Sequence, residues 1–154
     1  MKSTAHIQGH PIHPMLIPYP FALLSSAALF DVGSRLCGRA GWSHTARHLM
    51  NAGIGSALVA AVPGVVDYFG TLRPGTTARR TATKHALFNL SALACFALAG
   101  ARRKRDGRLP PAGLMFALVG TGLLSAGGWL GGELVYHQRV AVVDEDSSQA
   151  VAVP

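Results

Sequence analysis

The sequence is poor in charged residues and has only two cysteines. Of its 154 residues, 14% are charged and 49% are hydrophobic, and the mean hydropathy is +0.30. A chain of this length forms at most one domain, and this one is too apolar for a typical soluble domain. Cys37 follows one long apolar stretch and Cys95 lies in the middle of another, so we expect no disulfide between them.

Common motifs of soluble enzymes are also missing. There is no Gly-x-Ser-x-Gly elbow, no phosphate-binding loop and no Cys-x-x-Cys pair, so the sequence assigns no catalytic residue. The net charge is +7, but the basic residues fall between the apolar stretches and form no basic amphipathic face. Nucleic acid is therefore not an expected partner.

The sequence has instead four long apolar stretches, at residues 15–30, 50–66, 86–101 and 111–132. Each stretch, with its flanks, approaches the roughly 20 residues that a helix needs to cross the hydrocarbon core of a bilayer. The sequence therefore predicts an all-α integral membrane protein. We expect a four-helix bundle of up-down-up-down topology, in contact with the lipid bilayer.

The chain divides into a His-Pro-containing N-terminal segment (1–14), a four-span transmembrane domain (15–137) and a flexible C-terminal tail (138–154). The first apolar stretch follows a basic start, which is also typical of a cleavable signal peptide. The apolar core of a signal peptide is short and uninterrupted, whereas four prolines lie before or inside this stretch. They are Pro11, Pro14, Pro18 and Pro20. We therefore expect a membrane span of the mature protein.

The distribution of basic residues predicts an orientation. With four spans, both termini and the loop between the second and third spans lie on one face of the membrane, which we name side A. The other two loops lie on side B, which carries eight of the 14 Lys and Arg residues. The positive-inside rule places side B in the cytoplasm. We therefore expect both termini on the outer face of the membrane, which is the periplasm if the membrane is the bacterial inner membrane.

Two spans are rich in small residues, which let helix backbones approach closely in lipid. The second span has Gly53, Ala57 and Ala61 at four-residue spacing, and the fourth has Gly120, Gly127, Gly128, Gly131 and Gly132. These faces predict packing within the bundle, with a homodimer as the alternative.

Two further local features concern the first and second spans. Pro63 lies inside the second span and is expected to bend it. Asp31 and Arg35 are four residues apart near the side B end of the first span, which predicts an ion pair between them.

Polar residues enter or flank the spans mainly at the side A end. Four segments that are distant in sequence deliver imidazoles, carboxylates and an amide to this level. The seven residues are His10, His13, Asp67, His85, Asn89, Glu133 and His137. Any one of them can be an interfacial residue that reaches water. Together they predict a polar site inside the bundle, where ionisable residues serve a pathway, a cofactor or a partner.

The two His-Pro pairs limit the geometry of such a site. A residue before proline favours extended or polyproline II backbone, so His10 and His13 are expected along one edge with Cα atoms roughly 9 Å apart. One ion held tightly by both is therefore not expected. His13, the nearer to the first span, is predicted to point into the bundle.

Two kinds of centre suit these residues. Haem b takes two axial ligands on opposite faces of its ring, and His13 and His85 can supply them. Its propionates would then find cations in the loop that follows the second span, at Arg73, Arg79 and Arg80.

A non-haem transition-metal ion is the other kind of centre. His85, His137, Glu133 and Asp67 offer mixed nitrogen and oxygen ligands. Asp67 or Asn89 can instead hold an imidazole through its other nitrogen. His10 and His13 complete the set of predicted metal-site residues.

Four blocks of the sequence resemble a known family. They are "GHPIHPMLIPYPFALLSSAALFDV", "AAVPGVVDYFGT", "HALFNLSAL" and "GGWLGGELVY". From about His10 to Val142 the chain resembles the small bacterial membrane proteins catalogued as domain of unknown function number twenty-two thirty-one. The resemblance implies a four-span inner-membrane protein without an established activity. Members resembling this chain also occur fused to a Rieske-type iron-sulfur domain, which implies work near electron transfer.

The chain departs from this family near its end. The resemblance implies an ending like "LVY-x-x-G-V-G-V", whereas Arg139 and Ala141 stand here in place of the two glycines. Other residues are common at the position of His137.

The sequence therefore predicts a redox-linked membrane subunit that binds haem b or a transition metal near the outer face of the membrane that it spans. An electron-transfer protein is its expected partner. His13 and His85 are the first choice of ligands. The alternative is a cofactor-free structural or partner-binding membrane protein, in which the side A residues only hydrogen-bond helix ends together.

Overall fold

A computed structural model describes residues 2–142. A small antiparallel hairpin of strands β1 (His6–Ile7) and β2 (His10–Pro11) comes first. The helices that follow are α1 (Ile12–Leu16), α2 (Pro18–Cys37), α3 (Ala40–Gly70), α4 (Thr77–Ala101) and α5 (Pro111–Gly132), and the chain then forms a π-helical turn, Glu133–His137.

Four helical segments are long and apolar enough to cross a membrane. They are Ile12–Cys37, Ala40–Gly70, Thr77–Ala101 and Pro111–His137. The predicted all-α four-helix architecture is thereby confirmed. The described part of the C-terminal segment, 138–142, carries two residues with positive φ, Arg139 and Ala141.

Residues of known local preference mark the ends of these helices. Gly38 ends α2 in the left-handed conformation, with φ +67°, which costs glycine least. Pro18 and Pro111 begin α2 and α5, where the missing N–H has no helical partner. Thr76 precedes α4 and accepts a hydrogen bond from the backbone N–H of Arg79. Pro63 lies inside α3, which remains one helix from Ala40 to Gly70.

The helices pack as two antiparallel hairpins, α2 with α3 and α4 with α5. Glycines allow the close approach within each hairpin. A β carbon at Gly53 would lie 2.7 Å from the Leu24 side chain, and one at Gly120 would lie 3.0 Å from Phe96. These small-residue positions therefore serve packing inside the bundle, as predicted.

The core lies between the helices, and the outer surfaces are apolar. Leu24, Met50 and Phe96 are buried in the centre of the bundle. Large hydrophobic side chains such as Leu29, Phe69 and Trp129 are more than 70% exposed on the outside. An apolar exterior of this kind is what a bilayer solvates, so the helices contact lipid.

A buried ion pair joins the two hairpins on side B. Arg103 donates to both carboxylate oxygens of Asp31 at 2.7 Å, and the two side chains are 5% and 1% exposed. The predicted Asp31–Arg35 pair is therefore wrong. The Asp31 carboxylate is buried against the second hairpin, which provides Arg103. Arg35 is exposed and donates instead to the carbonyl oxygen of Leu109.

Candidate functional site

Asp67, at the side A end of α3, binds the N-terminal segment. Its Oδ1 atom accepts the backbone N–H groups of Thr4 at 2.8 Å and Ala5 at 2.9 Å. The hydroxyl of Ser3 donates to the same carboxylate at 2.7 Å. A carboxylate with three donors from one segment acts as an anchor for that segment. Asp67 therefore holds the chain that leads to His13.

The two His-Pro pairs take different backbone conformations. His10 is exposed in strand β2, while His13 lies in the short helix α1 and precedes Pro14. The predicted polyproline II run through both histidines is therefore wrong. A proline is tolerated in the first turn of a helix, and the backbone N–H of Ile12 bonds to the carbonyl oxygen of Ala5, which helps to start α1.

His13 points against helix α3. Its Nδ1 atom donates to the carbonyl oxygen of Ala60 over 2.7 Å. A β carbon at Gly64 would lie 2.9 Å from the same imidazole. The ring therefore rests on α3 where that helix has no side chain.

His85, on α4, makes the equivalent contacts with α5. Its Nδ1 atom donates to the carbonyl oxygen of Gly127 over 2.8 Å, and a β carbon at Gly131 would lie 3.1 Å from the ring. Asn89, one turn along α4, donates to the backbone carbonyl of His85 and has its amide nitrogen 3.3 Å from both ring nitrogens.

Both histidines thus use the same local geometry. In an α-helix the Cα–Cβ bond tilts toward the N-terminus, so the side chain of residue i+4 covers the carbonyl of residue i. Gly64 stands four residues after Ala60, and Gly131 four residues after Gly127. Each glycine leaves a helix carbonyl open to an imidazole.

The hydrogen bonds also define the tautomer. A carbonyl oxygen only accepts, so Nδ1 carries the hydrogen in both rings. In a neutral imidazole the Nε2 atom then keeps its lone pair, which is the form that binds a metal.

The imidazoles of His13 and His85 lie next to each other in a T-shaped arrangement. Their ring centroids are 6.1 Å apart and their planes make an angle of 89°. Because the rings belong to different hairpins, this contact joins the hairpins on side A, opposite the Asp31–Arg103 pair on side B. We name His13 and His85 the imidazole pair.

The other predicted ligands lie outside the imidazole pair. Glu133 and His137 bond to each other across the π-helical turn, where the His137 side chain is 74% exposed. His10 is exposed in strand β2, and Asp67 binds the N-terminal segment. Within residues 2–142, no three His, Cys, Asp or Glu side chains are grouped so that they could hold one ion.

The basic residues predicted for haem propionates have separate positions. Arg79 donates to the carbonyl oxygens of Tyr68 and Leu72, and its guanidinium lies 3.6 Å from the centroid of the Tyr68 ring. It therefore binds the end of α3. Arg73 lines an open pocket at the same end, and Arg80 is exposed.

Sequence reasoning missed the backbone partners of the imidazoles. Ala60 and Gly127 contribute only carbonyl oxygens, so their residue types carry no chemical signal. The signal that was available is glycine spacing, since Gly127 and Gly131 lie four apart in "GGWLGG". A histidine on the neighbouring helix is then a suitable donor to the exposed carbonyl.

Comparisons with known proteins identify a family. No curated protein and no solved structure matches the chain. The family described as "Predicted membrane protein (DUF2231)" matches residues 9–144. This range includes all four spans, both rings of the imidazole pair and the helices that carry their carbonyl partners. The chain is an integral membrane protein that belongs to this family.

Proposed function

We propose that the protein is a redox-linked membrane subunit that binds one metal centre, haem b or a single transition-metal ion, at the imidazole pair. The observation that carries the proposal is that each of the two rings donates a hydrogen bond from Nδ1 to a backbone carbonyl oxygen. A backbone carbonyl on one ring nitrogen is a usual partner of a histidine that binds metal through the other nitrogen. His13 and His85 would be the ligands, and the carbonyls of Ala60 and Gly127 would orient them.

The distance between the rings supports a single centre. Two imidazoles that bound one metal through bonds of about 2.0 Å would need ring centroids no more than roughly 6 Å apart. The centroids of His13 and His85 are 6.1 Å apart.

The small number of ligands favours haem or an ion of low coordination number. A structural zinc site needs four protein ligands, and residues 2–142 offer no group of three. Haem iron takes four nitrogens from its own macrocycle and needs only two from the protein. When bound, such a centre supplies one-electron chemistry, so an electron-transfer protein is the proposed partner.

A second function without a cofactor is supported by the same contacts. Both imidazoles already have hydrogen-bond partners, and their contact joins the two hairpins. In this account the imidazole pair closes the bundle of a structural or partner-binding membrane protein.

The purified protein distinguishes the two functions. It is extracted in mild detergent, and its absorption spectrum is recorded before and after reduction with dithionite. Iron, copper, manganese and zinc per chain are then measured by elemental analysis. Haem predicts a Soret band that shifts on reduction, with about one iron per chain. A single ion predicts about one equivalent of one metal without that band.

A variant purified in parallel separates bound metal from adventitious metal. The double variant His13→Gln, His85→Gln keeps an amide donor at each site for the helix carbonyl but loses both ring nitrogens. The proposal expects this variant to be colourless and free of metal. A wild-type protein with neither a Soret band nor stoichiometric metal would contradict the proposal and leave the cofactor-free function.

A further inference from the structure

The side B surface is strongly basic. Seven Lys and Arg side chains on it are exposed: Arg35, Arg39, Arg47, Arg102, Lys104, Arg105 and Arg108. Side B has two acidic residues in the described chain. Asp31 is buried in its pair with Arg103, and Asp106 is exposed and accepts a backbone N–H within its own loop. The exposed surface therefore has a large excess of positive charge.

Three contacts bring the two side B loops together. Arg35, near the end of α2, donates to the carbonyl oxygen of Leu109 in the loop between α4 and α5. The ring of His44 lies close to Gly107, where a β carbon would be 3.3 Å from it. The Asp31–Arg103 pair makes the third contact. The cations of both loops therefore form one surface, which we name the basic surface.

The basic surface lies close to the ends of the spans. Only Gly38 and Arg39 separate α2 from α3, and residues 102–110 separate α4 from α5. The guanidinium of Arg102 lies 4.7 Å from the ring centroid of Phe116, which is on span α5. Loops this short cannot project their cations far from the membrane. The charges therefore lie at the level of lipid headgroups, within about one Debye length of the membrane surface.

We infer that the basic surface binds the headgroups of anionic phospholipids. Clustered Lys and Arg side chains next to a membrane attract phosphate-bearing headgroups, and guanidinium groups can donate two hydrogen bonds to one phosphate. The position of the cations at the headgroup region favours a lipid over a soluble acidic partner, because the phosphates of lipids lie in the same region. Each cation near such a surface should raise the relative affinity roughly fivefold.

The two tryptophans of the chain allow a direct test. Trp42 is at the side B end of α3, half-buried against Phe30, whereas Trp129 is on α5 toward side A and is 78% exposed. Trp129→Phe leaves a reporter for side B, and Trp42→Phe leaves one for side A. Each protein is reconstituted in phosphatidylcholine vesicles with increasing phosphatidylglycerol, and quenching by brominated acyl chains of either lipid gives their relative association constant.

The inference expects a preference for phosphatidylglycerol at Trp42 of at least severalfold. Trp129 gives the separate ratio for side A, where Arg73, Arg80 and Lys84 are also exposed. Replacing Lys104, Arg105 and Arg108 with glutamine should lower the ratio at Trp42 severalfold, because three of the seven exposed cations are removed. High salt should have the same effect, because it screens exposed charges. A matched variant, with Arg73, Arg80 and Lys84 on side A replaced by glutamine, should leave the Trp42 ratio unchanged.

Two results would overturn the inference. One is a ratio near one at Trp42 in the otherwise unaltered chain, which would leave a soluble acidic molecule as the partner of this surface. The other is a preference that is unchanged by removal of the three loop cations. If that variant loses helical circular dichroism, the pair Arg39→Gln and Arg47→Gln, at the side B end of the other hairpin, provides the same test.

Discussion

A β carbon at Gly64 would lie 2.9 Å from the imidazole of His13. The glycine is the reason that the ring can reach the carbonyl oxygen of Ala60, one turn earlier on the same helix. His13 can therefore take this position only because residue 64 of α3 has no side chain. Substitutions at glycines test this dependence directly.

Gly64→Ala should destabilise the protein by about 1 to 3 kcal/mol, because the new methyl group overlaps the His13 ring. Gly55 provides the control on the same helix, since a β carbon there would meet no atom within 4 Å. Gly55→Ala should be neutral or stabilising by up to about 1 kcal/mol, because alanine favours a helix more than glycine does. Unfolding in mixed detergent micelles gives both values. Equal effects of the two substitutions would argue against the proposed packing of His13.

Removing one partner of the buried ion pair should destabilise the protein strongly, whereas removing both partners should not. Arg103→Met leaves the Asp31 carboxylate buried without its cation and should cost about 3 to 5 kcal/mol of unfolding free energy. Arg35→Met is the control, because the side chain of Arg35 is exposed and its loss should cost about 1 kcal/mol or less. The double variant Asp31→Leu, Arg103→Met should recover most of the loss. A larger effect at Arg35 than at Arg103 would restore the pairing predicted from helical spacing.

Asp67 should control the N-terminal segment. Asp67→Ala removes the acceptor for the amides of Thr4 and Ala5. Their hydrogen exchange should accelerate at least about tenfold, because one hydrogen bond to a charged group contributes about 1.5 to 3 kcal/mol. Ser3→Ala removes only the hydroxyl donor and should have a smaller effect on these amides. Unchanged exchange in Asp67→Ala, measured by mass spectrometry of the first peptide, would show that the segment is held by other contacts.

Ala141→Gly should stabilise the protein. Ala141 has φ +63°, a left-handed conformation that costs a residue with a β carbon about 1 to 2 kcal/mol. Its methyl group also packs against a small apolar cluster, so we expect a net gain of about 1 kcal/mol or less. Ala52→Gly, in the interior of α3, is the matched control and should cost about 0.5 to 1 kcal/mol. A loss of stability in Ala141→Gly would mean that the packing of the methyl group outweighs the backbone strain.

The sequence predicted the architecture well because its signal is collective. Four apolar stretches of sufficient length can hardly be accommodated except as membrane helices, and this result does not depend on any one residue. The family resemblance added a finer point. It implied glycines where Arg139 and Ala141 stand, and both positions have positive φ.

The contacts of individual polar residues could be predicted only in part. The position of His13 and His85 at the side A ends of their spans was sufficient to select them, and their rings are in contact. Membrane depth alone, however, does not give the direction of a side chain. Asp67 faces the N-terminal segment, Glu133 pairs with His137, and neither joins the imidazole pair.

The Arg103 pairing was missed for a related reason. Helical spacing identifies neighbours on one helix, whereas Asp31 finds its partner on the other hairpin. Such a contact follows from the packing of two elements, which a single sequence does not specify.

The central claim, that His13 and His85 hold one metal centre, is tested most directly by the metal content of single variants. His13→Gln, His85→Gln and His137→Gln are purified beside the wild-type protein, and metal per chain is measured together with the absorption spectrum. The account predicts about one equivalent in the wild-type protein and in His137→Gln, and its loss in both His13→Gln and His85→Gln. Equal metal content in all four proteins, or none in any of them, would contradict it.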